Sequence, residues 1–241
     1  MFTGIVQAVG QILKAQPHNH DVSLHIEAGS FDMSAVALGD SIATNGVCLT
    51  VTKITEKGFW ADVSKETLDC TTVAFWQVGK KVNLEQALMP TSHLGGHIVS
   101  GHVDGVGEVN TLKVEGRSWR LGIVAPKELA KYIAAKGSIT VDGTSLTVNR
   151  VNGSWFELNI VPHTINETII QYYREGHKVN LEVDIIARHL ERLLLGDKAA
   201  ESDTPSSSIT SDFLAEHGFL RQESDSWQKN YRKVLIFAGP V

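Results

Sequence analysis

The sequence has little of what several large protein classes require. Cys48 and Cys70 are its only cysteines, too few for a disulfide framework and without the Cys-x-x-Cys spacing that serves zinc or redox chemistry. Both are expected as reduced thiols. Basic residues form no local run, and the net charge is -5, which argues against nucleic acid or an anionic membrane surface as partner. No apolar run approaches the roughly 20 residues that span a bilayer. The opening "MFTGIVQAVG" has no basic stretch leading into an apolar one, so a cytoplasmic protein is expected. Helical periodicity is scarce as well, which directs attention to strands.

An internal duplication is present. Sliding the chain by 97 positions aligns two halves without a gap: "GIVQAVGQI" (4 to 12) falls on "GHVDGVGEV" (101 to 109), and "GDSIATNGVCLTV" (39 to 51) on "KGSITVDGTSLTV" (136 to 148). "VGKKVNLE" (78 to 85) meets "EGHKVNLE" (175 to 182), and Thr67 meets Thr164. A single register over so much chain marks a repeated structural unit. Within each half the period is mostly two, as in Phe59, Ala61 and Val63 against Phe156, Leu158 and Ile160. Short runs broken by "NG", "DG", "EKG" and "NGS" predict small antiparallel barrels or sandwiches. Weak helical patterns fall at 29 to 38 and 127 to 135. A strong one falls at 184 to 195, outside both repeats, with Ile185, Ile186, His189, Leu190, Leu193 and Leu194 at helical spacing. From Gly196 the composition is polar, small and proline-containing, as in a flexible linker. An amphipathic "SDFLAEHGFL" and an apolar "VLIFAGPV" follow, and no role is assigned to them.

The stretch "HLGGHIVSGHVDG" (93 to 105) is dense in histidine and glycine. His93, His97 and His102 could be metal ligands, proton carriers or packing residues. Gly95, Gly96 and Gly101 make a helical ligand pair unfavourable, and no cysteine or acid joins the cluster in sequence. No metal is expected.

The opening "MFTGIV", the pair "NGVCLTV" and "DGTSLTV", the histidine stretch and the twice-used "VNLE" together resemble riboflavin synthase, the lumazine-dismutating family, over residues 1 to about 195. The resemblance implies an all-β fold of two tandem six-stranded Greek-key barrels plus a C-terminal helix: an N-terminal lumazine-binding barrel (1–97), a C-terminal one (98–184), an oligomerisation helix (185–195) and a linker and tail (196–241). It implies transfer of a four-carbon unit between two molecules of 6,7-dimethyl-8-ribityllumazine, without metal or organic cofactor. It also implies a homotrimer, association with lumazine synthase, and substrates lying face to face between barrels of neighbouring subunits.

The residues suit that chemistry. The lumazine 7-methyl group is acidic because its carbanion delocalises into the ring, so an imidazole titrating near neutrality is an adequate base. By the resemblance His102 is the leading base or proton shuttle and His97 the second. His102 stands where the first repeat has Ile5, so the two pockets are unequal, as donor and acceptor roles require. Ser145 and Thr147 are expected as catalytic-half contacts, with Cys48 and Thr50 as their counterparts; no cationic neighbour in sequence would activate the Cys48 thiol. Phe2 is a candidate ring cover, and Gly4, Ile5 and Val6, with Gly101 and Val103, are candidate edge strands for a flat ring. Further candidate contacts are Ser41, Leu49, Asp62, Val63, Ser64, Lys65, Glu66, Thr67, Lys136, Asp142, Leu146, Asn159, Ile160, Val161, Pro162, His163 and Thr164. Two other readings stay open: a non-catalytic lumazine or flavin carrier of the same fold, such as the antenna proteins of luminescent bacteria, and a tandem-barrel scaffold engaging protein partners through its tail.

Overall fold

The computed structural model describes residues 1–200; the two motifs noted in the tail and most of the linker lie outside that range. Residues Met1–Leu194 form one compact unit. The first repeat contributes β1 (Ala8–His18), β2 (Asp21–Glu27), β3 (Ser41–Thr44), β4 (Val47–Thr55), β5 (Gly58–Val63), the short helix α1 (Lys65–Cys70) and β6 (Lys81–Gln86). The second contributes β7 (Gly105–Glu115), β8 (Ser118–Val124), β9 (Ser138–Val141), β10 (Thr144–Asn152), β11 (Trp155–Ile160), α2 (Pro162–Glu167) and β12 (Lys178–Val183), followed by α3 (Ile185–Leu195). Each set of six strands closes into a barrel, in the circuits β1-β2-β5-β4-β3-β6 and β7-β8-β11-β10-β9-β12. Closure pairs every strand on both sides and leaves no edge. Even the bulges recur: those at Ile12/Lys14 and Val51/Lys53 return at Val109/Thr111 and Val148/Arg150.

Alternation sets which side chains fill each barrel. Phe59, Ala61 and Val63 are buried while Asp62 between them is exposed, and Phe156, Leu158 and Ile160 do the same in the second barrel. The weak helical patterns at 29 to 38 and 127 to 135 become 3-10 turns, Met33–Ala35 and Lys127–Tyr132. Phe31 with Val36, and Leu129 with Ile133, are the buried residues that hold these crossings on their barrels. Helices α1 and α2 went unanticipated, since six residues are too few to display a period. The first five residues expected in the linker, Gly196–Ala200, form a 3-10 turn.

The barrels meet through reciprocal contacts of the kind that relate the halves of a symmetric dimer. Asn45-Gly46 and Asp142-Gly143 are two-residue hairpin turns with positive φ throughout, the type I′ geometry that "NG" and "DG" favour. A β-carbon on Gly46 would lie 2.8 Å from Gly143 N, and one on Gly143 2.7 Å from Gly46 N, so only glycine admits this approach. The Asn83 Nδ2 group donates to Asp142 O (2.8 Å) and Asn180 Nδ2 to Asn45 O (2.9 Å). Their side-chain oxygens accept from Ile169 N and Thr72 N, each at 2.8 Å. Replacing Asn83 with leucine would strand two buried backbone groups. The expected loss is about 3 kcal/mol of unfolding free energy by chemical denaturation; a loss under about 1 kcal/mol would contradict this role.

One difference breaks the symmetry. Asp142, where the first repeat has Asn45, is fully enclosed; its Oδ1 accepts from Asn180 N (2.8 Å) and its Oδ2 from the Tyr173 hydroxyl (2.5 Å). Asp142 was expected among the substrate contacts; the structure instead assigns both its oxygens to the barrel junction. Burial pushes this carboxyl up to about 6, against the pull of its hydrogen bonds. A raised acid binds its proton more tightly in the folded state, so its contribution to stability grows as pH falls from about 6 towards the unfolded value. D142N, which restores the first repeat's residue, should therefore flatten the stability profile between about pH 4 and 6 relative to the parent, by up to about 3 kcal/mol. Equal pH slopes in the two proteins would contradict it.

Candidate functional site

Each repeat opens with a segment that leaves its own barrel and lies on the other. Gly4 accepts a hydrogen bond at its carbonyl from Ser145 N (2.7 Å), and Gly101 accepts the equivalent one from Cys48 N (2.8 Å). The approach is close in both places. A β-carbon on Gly4 would come within 2.6 Å of Ser145 Cβ, and one on Gly101 within 2.7 Å of Cys48 Cβ. Val103 accordingly packs against the core of the first barrel. His102 and Ser145 share a repeat in sequence, yet the chain crosses over: His102 follows the residue bonded to Cys48, and Ile5 follows the one bonded to Ser145.

Two buried glutamates hold these segments, and neither is among the candidates the sequence offers. Glu85 accepts from Thr3 N and Thr3 Oγ1 (both 2.6 Å) and Gly4 N (2.9 Å). Glu182 repeats the arrangement with Ser100 N (2.6 Å), Ser100 Oγ (2.7 Å) and Gly101 N (3.0 Å). Desolvation raises both carboxyls from their ordinary value despite these bonds. Their signal in the sequence was the glutamate ending each "VNLE", an acid in a strand otherwise buried on both faces.

The cleft on the second barrel has a volume of about 120 Å³ and is bounded by Gly4, Ile5 and Val6 on one side and Thr144, Ser145, Thr164 and Thr168 on the other, with His163 and Glu167 at its rim. Beside it, His97 Nδ1 lies 2.7 Å from Ser145 Oγ, and its Nε2 lies 3.2 Å from Thr140 Oγ1. The imidazole is half-buried, and desolvation lowers its pKa from the ordinary value, with Asp184 opposing. A neutral imidazole bonded to a hydroxyl on each nitrogen can take the serine proton and return it. Sequence reasoning missed Thr140, the strand partner of Ser145 in β9. The equivalent positions on the first barrel hold Cys48, Glu66, Thr67 and Cys70, with Gly101, His102 and Val103 opposite.

Other candidates do not line the cleft on the second barrel. Phe2, expected to cover the ring, has no exposed surface; it bridges to Val99 and packs with Ala43, so it is core. Leu49, Val63 and Ile160 are buried in barrel cores, and Leu146 packs against the second. Ser64 caps α1, Lys65 pairs with Asp69, and Asp62 accepts from Ser23 Oγ (2.5 Å). Thr50 and Thr147 are exposed on the outer faces of β4 and β10, in register with Ser41 and Ser138. Asn159, Val161 and Lys136 are exposed, and Pro162 opens α2. His93 lies at a neighbouring pocket, beside Met89 and Gln7, that shares Ile5 with this cleft. Among the described residues no three or more metal-ligating side chains cluster.

Two closed barrels, each carrying the other's leading segment, with a cleft where that segment lies on the second, define a tandem-barrel protein whose halves present equivalent surfaces to small molecules. The family model for the lumazine binding domain matches residues 3–87 and 100–184. A riboflavin synthase of Photobacterium phosphoreum is 49% identical over 220 residues, covering 91% of this chain and 100% of that one. One from Bacillus subtilis (strain 168) is 41% identical over 219 residues, with 91% and 100% covered. Among solved structures, LumP complexed with riboflavin superposes with a TM-score of 0.71 at 27% identity, over 76% of this chain and 99% of that one. LumP complexed with 6,7-dimethyl-8-(1'-D-ribityl) lumazine gives 0.69 at 26%, over 76% and 99%. The chain belongs to the riboflavin synthase family of lumazine-binding proteins.

Proposed function

We propose that the protein is a riboflavin synthase, a transferase that dismutates two molecules of 6,7-dimethyl-8-ribityllumazine to riboflavin and a ribitylaminopyrimidinedione. The observation that carries this reading is the pair of equivalent but chemically unequal contacts where each leading segment meets the other barrel, Gly101 and His102 at Cys48 in one and Gly4 and Ile5 at Ser145, whose hydroxyl lies 2.7 Å from His97, in the other. In this account His102 takes a proton from the 7-methyl group of one lumazine. The carbanion attacks the second lumazine, whose electron-poor C7 is approached by the Ser145 hydroxyl, or a water it orients, with His97 receiving the proton. The protein's own residues supply the acid–base chemistry, and no metal or organic cofactor is invoked.

The clefts of one chain belong to different barrels, so the reaction needs a cleft of each kind brought face to face. Helix α3 supports a homotrimer that does this. It is fastened to the second barrel by Arg188 on Asp104 (2.5 Å) and by Glu191 on Lys131 and Tyr132, while Ile186, Leu190, Leu193 and Leu194 remain 54–87% exposed. A long apolar stripe on one helix is suited to burial against its own copies. The division proposed is two barrels, 1–97 and 98–184, followed by an oligomerisation helix. A cytoplasmic location and association with lumazine synthase complete the reading; among the described residues no helix is long and apolar enough to cross a membrane.

Incubation of chelator-treated protein with the lumazine, followed by absorbance, tests it. Riboflavin should appear at one molecule for two lumazines consumed. Lumazine that binds and persists would make the protein a carrier, and loss of turnover on chelation would restore a metal.

A further inference from the structure

Sharing no lining residue with the cleft on the second barrel, a pocket of about 290 Å³ opens between the 3-10 turn Thr72–Phe75 and the loop before β12. Lys80, Arg174 and His177 meet there, with Phe75 and Trp76 on the wall and Glu175 at the rim. Lys80 and His177 are equivalent positions of the two repeats, and Lys80 Nζ lies 3.4 Å from His177 Nε2. The pocket therefore sits where the two repeats are related to one another and occurs once per chain.

Its charge is unbalanced. Neither Lys80 nor Arg174 has a carboxylate within ion-pair distance among the described residues. Lys178 at the rim is already paired with Glu108 (2.5 Å), and Glu175 lies at hydrogen-bond distance from Leu112 N (3.4 Å). Asp142 beneath attracts Lys80 but spends both oxygens on Asn180 and Tyr173. The Tyr173 ring holds the His177 imidazole at 4.8 Å between centroids. Burial, then Lys80 and Arg174, push that imidazole down to about 4, so it stays neutral beside two cations that form no ion pair among the described residues.

We propose that this pocket binds the phosphate group of a small phosphate monoester, with Lys80 and Arg174 as its ligands and the organic part resting on Phe75. A guanidinium presents paired donors that match two phosphate oxygens, and an ammonium supplies a third contact. The bound dianion gives His177 reason to take a proton and donate as well. Phe75, 72% exposed, offers the apolar surface an ester would cover. The inference does not depend on the synthase reading, because its residues take no part in that chemistry.

The test is a titration of full-length protein, labelled in its histidine rings, with inorganic phosphate and with phenyl phosphate at constant ionic strength, followed by NMR. His177 resonances should shift saturably at one ligand per chain, with its pKa rising. Phenyl phosphate should bind more tightly than phosphate, and Phe75→Ala should remove that advantage. The double variant K80Q/R174Q should raise the half-saturating concentration at least about tenfold while lumazine turnover at pH 7 is unchanged. A linear shift, or one the double variant retains, would overturn the site; equal affinity for the two probes would overturn the ester.

Discussion

His97→Ala is expected to lower kcat for riboflavin formation by about 10²-fold or more with little change in KM, a typical magnitude for removing one general acid–base group. His97 is not among the residues lining the cleft; its Nδ1 lies 2.7 Å from the Ser145 hydroxyl and its Nε2 3.2 Å from Thr140 Oγ1. Its loss leaves the cleft's shape and the Gly4–Ser145 backbone bond in place. Ser145→Ala should cost a similar factor, and the double variant little more than either single change, because the pair acts as one unit. Desolvation keeps His97 neutral to lower pH than a free histidine, so a Ser145-dependent rate should hold as pH falls through 6.5 and decline below it. Additive losses in the double variant would show that the two residues act separately.

Glu85→Ala carries the largest expected stability effect. It deletes three hydrogen bonds to an ionisable oxygen pair and strands the Thr3 and Gly4 amides in the interior. At about 1.5 kcal/mol or more for each bond to a charged group, the loss is about 4 kcal/mol or more. It should fall on the cleft as well, since Gly4, Ile5 and Val6 are held on the second barrel by this carboxylate. Glu182→Ala should do the same to the His102 edge. Denaturation and lumazine turnover measured together would separate a lost clamp from simple unfolding: at temperatures where the variant is still folded, turnover should already be reduced. Full activity in folded Glu85→Ala would contradict the clamp.

Much of this architecture is legible in the chain. The duplicated register predicts two like barrels, "NG" and "DG" predict the hairpins that meet at the junction, and the apolar period predicts α3 at its observed bounds. The crossing of the leading segments is not legible, because sequence order assigns Gly101 and His102 to the repeat they precede, while a tertiary contact assigns them to the other barrel. Asp142 illustrates a second limit. Its position beside the candidate strand suggested a ligand contact, but nothing in the sequence reveals that Tyr173 and Asn180 close over it. Phe2 fails for a similar reason: the Val99 bridge that buries it joins residues far apart in the chain. Glu85 and Glu182 are visible only as part of a repeated motif, since a clamp's partners come from a segment distant in sequence.

Subunit complementation between two inactive chains, H102A and S145A, refolded together and compared with each alone, decides where the two residues act. If His102 edges the cleft of the first barrel and Ser145 that of the second, a mixed trimer holds one interface at which an intact first-barrel cleft faces an intact second-barrel cleft. Random mixing at equal amounts should then restore about one active site in four. If the two residues shared one cleft, no mixed trimer would contain an intact copy, and activity would stay at the level of the separate variants.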